Sequence, residues 1–195
     1  MPNRHESMTS QLLQAIHFAA KRHRNQRRKN VGKTPYINHP IEVAHILMFE
    51  GDVRDSDILV AAVLHDTVED TQTTFAEIEH LFGKSVCSIV AEVTDPAGLS
   101  SGERKAKQIE KAPHISKKAK LVKLADKISN LRDIISDPPE NWSFARQEAY
   151  FQWAEKVIDG LRGVHPQLEA AFDRVNAAFY SNQTQLNESS RQETR

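Results

Sequence analysis

Only one cysteine occurs among the 195 residues of this chain. A chain with one cysteine cannot form an internal disulfide, which excludes the small secreted folds that depend on disulfide bonds and favours a reducing compartment. Cys87 lies in the apolar run SVCSIVAEV, where we expect it to be a small buried side chain.

The sequence also lacks a net charge and any long apolar run. Its 26 basic residues balance its 26 acidic ones, so the whole chain is not patterned to bind a polyanion. No segment approaches the ~20 apolar residues of a membrane span. The first ten residues, MPNRHESMTS, lack the apolar core of a signal peptide. We therefore expect a soluble, cytoplasmic protein with no membrane or nucleic-acid partner.

Strand-type alternation of polar and apolar residues is absent as well, and the dominant hydrophobic period is that of a helix. Thr9 or Ser10 is predicted to cap the first helix, and the capping-box pattern TFAE, from Thr74, opens another that ends at Gly83. The length fits one domain. We predict an all-α protein, a single-domain helical bundle. Its expected divisions are an N-terminal tail at residues 1–7, the domain at residues 8–180 and a disordered polar tail at residues 181–195.

The segment ILVAAVLHDTVED joins seven uncharged residues to a cluster of ionisable ones. Apolar residues on every face predict a helix that is buried all round. On a continuous helix His65 lies beside Glu69 and Asp66 beside Asp70, because residues four apart share a face. Buried carboxylates this close together need a cation, either a basic side chain or a metal ion. The alternative is that the helix emerges into solvent after its apolar part.

Two further residues are candidates to complete a metal site. We expect His39 at the N-cap of the helix that begins near Pro40, although simple capping would also explain a histidine there. Asp126 lies in KLVKLADKISNLRD, where helical spacing places it with Asn130 opposite a leucine stripe, a face that solvent would also explain. Two imidazoles and two carboxylates suit Mn²⁺, Fe²⁺ or Zn²⁺ better than Mg²⁺ or Ca²⁺.

Three motifs, GKTPYINHP, VLHDTVED and KLVKLADKISNLRD, occur in this order and together resemble the HD-domain hydrolases of the RelA/SpoT group. More narrowly, the chain is similar to the small alarmone hydrolases, including the metazoan SpoT homologues, over about residues 8–175. The resemblance implies a helical bundle of the HD-domain phosphohydrolase type. It also implies a metal-dependent hydrolase of the stringent response that uses Mn²⁺, one ion per chain, to remove the 3′-pyrophosphate of ppGpp or pppGpp, giving GDP or GTP.

The same resemblance implies roles for six residues of the motifs, all of which match the family pattern. The expected metal ligands are His39, His65, Asp66 and Asp126. The acidic pair Glu69 and Asp70 is expected to act on the attacking water and on the leaving group. Which carboxylate has which role stays open at this point.

A basic run at residues 21–33 is consistent with a phosphorylated substrate, since it holds seven lysines and arginines in a chain of zero net charge. The resemblance implies that Arg28, Lys29 and Tyr36 contact phosphate or base, and that Asn130 and Tyr150 contact ribose or phosphate. A solvated helix end would also explain the run, and core packing would explain Tyr150. A nucleic-acid patch is a third interpretation, disfavoured because no aromatic residue is interleaved among these cations.

The resemblance leaves more than one nucleotide open as the substrate. Related HD hydrolases act on other nucleotides, so removal of the 2′-phosphate of NADPH and hydrolysis of deoxynucleoside triphosphates are alternatives. The longer bifunctional relatives carry a synthetase domain and regulatory domains, and we expect this chain to be a stand-alone hydrolase. The sequence leaves the oligomeric state open.

Overall fold

The structure is a computed structural model that describes the backbone of residues 4–192 and the side chains of residues 8–181. The described residues are helical and contain no β-strand, only two isolated bridges, which confirms the all-α prediction. The α-helices are α1 (Arg4–Arg22), α2 (Asn38–His45), α3 (Ser56–Leu64), α4 (Thr67–Asp70), α5 (Phe75–Phe82), α6 (Lys84–Val93), α7 (Ser101–Lys111), α8 (Lys117–Ser136), α9 (Phe144–Asp159) and α10 (Pro166–Gln192). A short π-helix, Ile46–Glu50, continues α2, and a 3₁₀ turn, Ala112–His114, follows α7.

Helix α3 lies at the centre of the bundle, with α1, α2, α6 and α8 packed around it. All of its residues from Ile58 to Leu64 are buried, as the uniformly apolar sequence predicts. Helix α8 is the second core element, because it packs against α2, α3, α6, α9 and α10 and buries most of its middle. The candidate metal ligands lie on α2 and α8 and at the end of α3.

The local signals at α5 act largely as the sequence predicts. The Thr74 hydroxyl accepts a hydrogen bond from the backbone N–H of Glu77, and Gly83 ends the helix with a φ of 87° that favours glycine. The Glu77 side chain does not complete the capping box, since it pairs with Arg22 on α1. Cys87 is buried on the next helix, as expected.

The helices at both ends extend beyond the predicted domain. Helix α1 begins at Arg4, so the prediction that Thr9 or Ser10 caps it is wrong. Helix α10 continues to Gln192, across most of the segment that its composition predicts to be disordered. Adding residues to a helix that packing already holds is far easier than nucleating a new one. Residues 1–3 and 193–195 lie outside the described part, and the domain limits of 8 and 180 stay a prediction.

In the part of the chain that the structure covers, no helix is both long and apolar enough to cross a membrane.

The central position of α8 predicts a large effect of truncating its core side chains. Leu124 is fully buried there, so Leu124→Ala should lower the free energy of unfolding by roughly 2–5 kcal/mol, through lost burial and a residual cavity. Leu13→Ala is the control, because the Leu13 side chain is 62% exposed and such changes stay within about 0.5 kcal/mol. Urea denaturation measures both, and equal losses would contradict this packing.

Candidate metal centre and substrate cavity

A cluster of three buried side chains, His39, His65 and Asp126, lies where α2, α3 and α8 meet. One potential ligand atom from each lies within 4.8 Å of the others, close enough for all three to bind one metal ion. The Nε2 atom of His39 is 3.3 Å from Oδ1 of Asp126, and Nε2 of His65 is 3.9 Å from the same oxygen. The structure therefore brings together residues that are up to 87 positions apart, from 39 to 126.

Both histidines turn their Nε2 atoms towards the cluster because their Nδ1 atoms are held from behind. The Nδ1–H of His65 donates to the carbonyl oxygen of Ala62 at 2.7 Å, and Nδ1 of His39 lies 3.1 Å from the Ser129 hydroxyl. Nε2 of His65 is buried and has no hydrogen-bond partner among the described residues. A buried imidazole nitrogen that faces carboxylates without a hydrogen-bond partner of its own fits a metal ligand, and a partner on Nδ1 is the usual means of orienting one.

His39 reaches this position from inside its helix and not from its cap. The N-cap of α2 is Ile37, and the helix begins at Asn38, so the prediction of an N-cap histidine is wrong by two positions. His39 therefore belongs to the first turn of α2, and the regular backbone of this turn fixes the direction in which its ring points.

Asp66 lies beside the cluster and is partly exposed. Its Oδ2 is 2.9 Å from Nε2 of His65, a contact without hydrogen-bond geometry, and 3.8 Å from Nε2 of His39. The Tyr36 hydroxyl donates to the same oxygen at 2.6 Å. The fourth predicted ligand is thus next to the other three, and Tyr36 orients its carboxylate.

Asp126 is buried with an unusual set of donors around it. The Lys127 ammonium lies 3.0 Å from Oδ2, and the Asn130 amide donates to Oδ1 at 2.5 Å. Lys127 is itself buried, with its ammonium 4.6 Å from the centre of the Trp153 ring. The face of α8 that carries Asp126 and Asn130 is therefore not polar because it faces solvent, since Asp126 is buried inside the protein.

Burial and the neighbouring charges shift the pKa values of the cluster residues. Burial raises the pKa of Asp126, but the Lys127 charge and the two histidines outweigh it and hold this pKa well below its usual range. The pKa of Asp66 is also held low, since the neighbouring His65 outweighs burial. Burial lowers the pKa of His39, whereas at His65 the Asp66 and Asp126 charges overcome burial and raise the pKa to about 9. Two carboxylates that stay ionised in the interior make the site attractive to a cation.

The acidic pair Glu69 and Asp70 does not lie on a continuous helix with His65. Helix α3 ends at Leu64 and the four-residue α4 begins at Thr67, so the prediction that His65 and Glu69 share one continuous helix is wrong. Asp66 and Asp70 do lie one helical turn apart, since Asp66 is the N-cap of α4 and its carbonyl accepts from the Asp70 N–H at 2.9 Å. Glu69 and Asp70 point to different partners, in directions that periodicity does not predict.

Glu69 accepts hydrogen bonds from the backbone N–H of Asp95 at 3.1 Å and from Arg104 at 3.3 Å. Burial raises the pKa of Glu69, and the nearby charges of Asp95, Asp66 and Asp70 raise it further, although the N–H of Asp95 opposes this. Asp70 faces the other way and accepts from the Gln26 amide at 2.8 Å.

A cavity of ≈ 630 Å³ opens beside the cluster, and all five predicted substrate contacts line it. They are Arg28, Lys29, Tyr36, Asn130 and Tyr150, and His39 and Asp70 line the same space. The volume is within the range of sites for small organic ligands. Tyr150 is therefore a wall of the cavity as well as a packing residue.

Arg28 is fixed at the wall of this cavity. Its guanidinium donates to Asn130 at 2.9 Å and to Asp133 at 2.6 Å, and it lies 5.7 Å from the centre of the Tyr36 ring. The sequence interpretation missed Asp133, although its position three residues after Asn130 on one helix face is a signal for it.

The basic segment starts in the exposed last turn of α1, with Lys21 and Arg22, and the rest of it forms an ordered loop. Bridges join Arg27 to Pro35 and Asn30 to Pro139, and the Asn30 amide donates to Asp137 at 2.5 Å. The loop between α8 and α9 therefore holds the basic loop in place. This second loop also adds Trp142 to the cavity wall, a residue that its loop-like composition did not single out.

Three comparisons place these motifs among known proteins. Residues 15–154 match the family model described as HD domain. The chain is 57% identical over 164 residues to the guanosine-3′,5′-bis(diphosphate) 3′-pyrophosphohydrolase MESH1 of Xenopus tropicalis, with 84% of this chain and 92% of that protein covered. It is 55% identical over 169 residues to the human MESH1 protein, with 87% and 94% covered.

A solved structure described as a metazoan orthologue of SpoT that hydrolyses ppGpp matches with a TM-score of 0.83 and 45% identity. The match covers 90% of this chain and 95% of that chain, so the helical architecture is shared.

The geometry of the cluster predicts that the protein binds one divalent ion per chain. His65→Ala and Asp126→Ala should each abolish stoichiometric binding, because each removes one of three convergent ligand atoms. The control is His17→Ala, since His17 is exposed on α1 and far from the cluster in sequence. Elemental analysis of the purified proteins measures the metal content. Equal metal content in all four proteins would rule out this cluster as the site.

Proposed function

The chain belongs to the HD-domain family of guanosine-3′,5′-bis(diphosphate) 3′-pyrophosphohydrolases, and we propose that it removes the 3′-pyrophosphate of ppGpp and pppGpp. The products are GDP or GTP and pyrophosphate. One observation carries the proposal: a single cavity contains Arg28 and Lys29, which suit phosphate groups, together with His39 of the buried cluster. Cations that hold a bis-diphosphate therefore share one space with groups that suit a metal ion.

The HD domain implies a divalent metal, and we propose Mn²⁺ held by His39, His65, Asp66 and Asp126. Nε2 of His65 has no hydrogen-bond partner in the described part of the chain, and the carboxylates of Asp66 and Asp126 have lowered pKa values, both of which support this ligand set. Its mixture of nitrogen and oxygen donors also suits Mn²⁺. When bound, such an ion lowers the pKa of water and offsets negative charge on phosphoryl oxygens. Lys127, Asn130, Tyr36 and Ser129 then orient the ligands from behind.

The cavity wall supports roles for the predicted contacts. Arg28 is a planar cation that binds phosphate in a fixed direction, since Asn130 and Asp133 already hold its guanidinium. Lys29 is exposed at the rim, where its ammonium can follow a flexible diphosphate. Tyr36, Asn130 and Tyr150 provide hydroxyl, amide and ring surfaces for ribose, phosphate and base.

Glu69 and Asp70 handle the protons of the reaction in this proposal. The raised pKa of Glu69 suits a group that transfers a proton, because burial and neighbouring acids disfavour its charged form. Asp70 lines the cavity itself, where it can contact the substrate or the leaving pyrophosphate. Glu69 and Asp70 have different hydrogen-bond partners. This difference is consistent with separate roles, in which one acts on the attacking water and the other on the leaving group.

The test is a substrate panel. Purified protein loaded with Mn²⁺ is assayed against ppGpp, NADPH and deoxynucleoside triphosphates, with and without EDTA. We expect EDTA-sensitive release of pyrophosphate from ppGpp. Turnover of NADPH or a deoxynucleoside triphosphate with none of ppGpp would replace the proposed substrate, and RNA binding without any turnover would replace the enzyme. The cytoplasmic location stays a prediction.

Removing either acid should impair chemistry more than metal binding. Glu69→Gln and Asp70→Asn keep side-chain size, so we expect the metal content to be retained while turnover of ppGpp falls on the order of 10²-fold or more. Glu155→Gln, an exposed carboxylate on α9, is the control. Steady-state kinetics and elemental analysis are measured on the same preparations, and loss of the metal in both variants would make these residues ligands.

Neutralising the cations at the rim should weaken substrate binding. The double variant Arg28→Gln and Lys29→Gln is expected to raise KM for ppGpp several-fold while kcat falls less, because these contacts hold ground state and transition state alike. The matched control neutralises Lys21 and Arg24, which belong to the same basic run but do not line the cavity. An equal KM change in the control would mean that the general charge of the run matters and not the cavity.

A further inference from the structure

Gln26 connects the acidic residue Asp70 to a buried histidine on the far side of the cavity wall. The Gln26 amide nitrogen donates to Oδ2 of Asp70 at 2.8 Å, and its amide oxygen lies 2.6 Å from Nδ1 of His23. An ionised carboxylate only accepts hydrogen bonds, so the amide NH₂ must face Asp70 and the amide oxygen must face His23. His23 therefore carries its proton on Nδ1 and donates it to Gln26.

The backbone of Gln26 is fixed as firmly as its side chain. Its N–H donates to the carbonyl of His23 at 2.8 Å, and its own carbonyl accepts from the N–H of Tyr36 at 3.1 Å. These bonds close the turn after α1 against the strand-like stretch that leads to α2. Gln26 consequently presents its amide to Asp70 from a position with little conformational freedom.

His23 makes this arrangement part of the buried interior. Its exposed fraction is only 2%, and its ring packs on Tyr36 with 4.9 Å between ring centres. Tyr36 in turn donates to Asp66 in the metal cluster. The turn after α1 thus contacts two acidic groups of the site, Asp66 through Tyr36 and Asp70 through Gln26.

We propose that Gln26, held by His23, is a positioning residue that sets the direction of the Asp70 carboxylate in the cavity. This inference rests on the proposed function, in which Asp70 acts on the substrate or the leaving group. Asp70 needs such support because it is an exposed side chain at the last residue of the four-residue helix α4. A hydrogen bond from a rigid donor selects one of its rotamers before the substrate arrives, which is how a supporting group raises turnover.

The test is a double-mutant cycle on ppGpp turnover. Gln26→Glu keeps the size of the side chain and the acceptor for His23, but replaces the donor to Asp70 with an oxygen. We expect kcat to fall about 10–100-fold, the usual range for a supporting partner, with a smaller change in KM and unchanged metal content. In the Asp70→Asn background the same substitution should have almost no further effect, because its action passes through Asp70. Additive losses would overturn the proposal.

Two companion variants separate positioning from a merely structural role. Gln11→Glu is the matched control, a glutamine on α1 that bonds Ser56 away from the cavity, and it should leave kcat unchanged. His23→Phe keeps the packing on Tyr36 but removes the proton donated to Gln26. It should lower kcat in the same direction, with no additional loss once Gln26 is Glu. An unchanged kcat in His23→Phe would remove His23 from the proposal.

An NMR measurement that does not depend on catalytic turnover tests the contact between Gln26 and Asp70. The side-chain NH₂ resonances of Gln26, assigned by their loss in Gln26→Glu, should move in ¹H–¹⁵N spectra of Asp70→Asn and stay in place in Glu155→Gln. Unmoved resonances overturn the positioning inference even if the wild type hydrolyses ppGpp. Moved resonances in a protein that hydrolyses no ppGpp would uphold the contact while the proposed substrate fails.

Discussion

The site depends on keeping the buried Asp126 carboxylate ionised inside the helical bundle. Asp126 lies in the middle of α8 and is buried where α2 and α3 pack against that helix. An unpaired charge in this environment would take up a proton or destabilise the fold. Lys127 and Asn130 prevent this by donating to its two oxygens, and His39 and His65 add further stabilisation on the inner side.

The break between α3 and α4 determines where the side chains of the HDTVED segment point. Ending the helix at Leu64 lets His65 and Asp66 turn inward, with Nδ1 of His65 bonded to Ala62. The short α4 then sends Glu69 and Asp70 to opposite sides, towards Asp95 and Gln26. A straight helix would leave Asp66, Glu69 and Asp70 on adjacent faces, where the like charges of the three carboxylates would oppose one another.

Contacts with neighbouring elements hold the basic loop in place. Its residues have few apolar side chains to bury, and the loop is held by Asn30 at the α8–α9 connection and by Arg28 on α8. Because α8 also carries Asp126, the cations that suit phosphate and the groups that suit a metal are attached to one rigid helix. A substrate with several phosphates would be gripped and presented to the cluster by the same element, which is consistent with the activity of the relatives.

The sequence by itself determined the fold class and the helical motifs, and it supplied the candidate site residues. Periodicity is a local property, so α3, α5 and α8 could be predicted from their own residues, and the quoted motifs pointed to His39, His65, Asp66 and Asp126. The tertiary structure alone decided where the polar groups point. Asp126 looks equally suited to solvent or to a buried site until α2 and α3 pack against it, and Gln26 carries no signal until the turn after α1 meets Asp70. Those contacts join residues 44 or more positions apart, and their directions depend on helix packing and on the break after Leu64, neither of which is encoded within a single helical period.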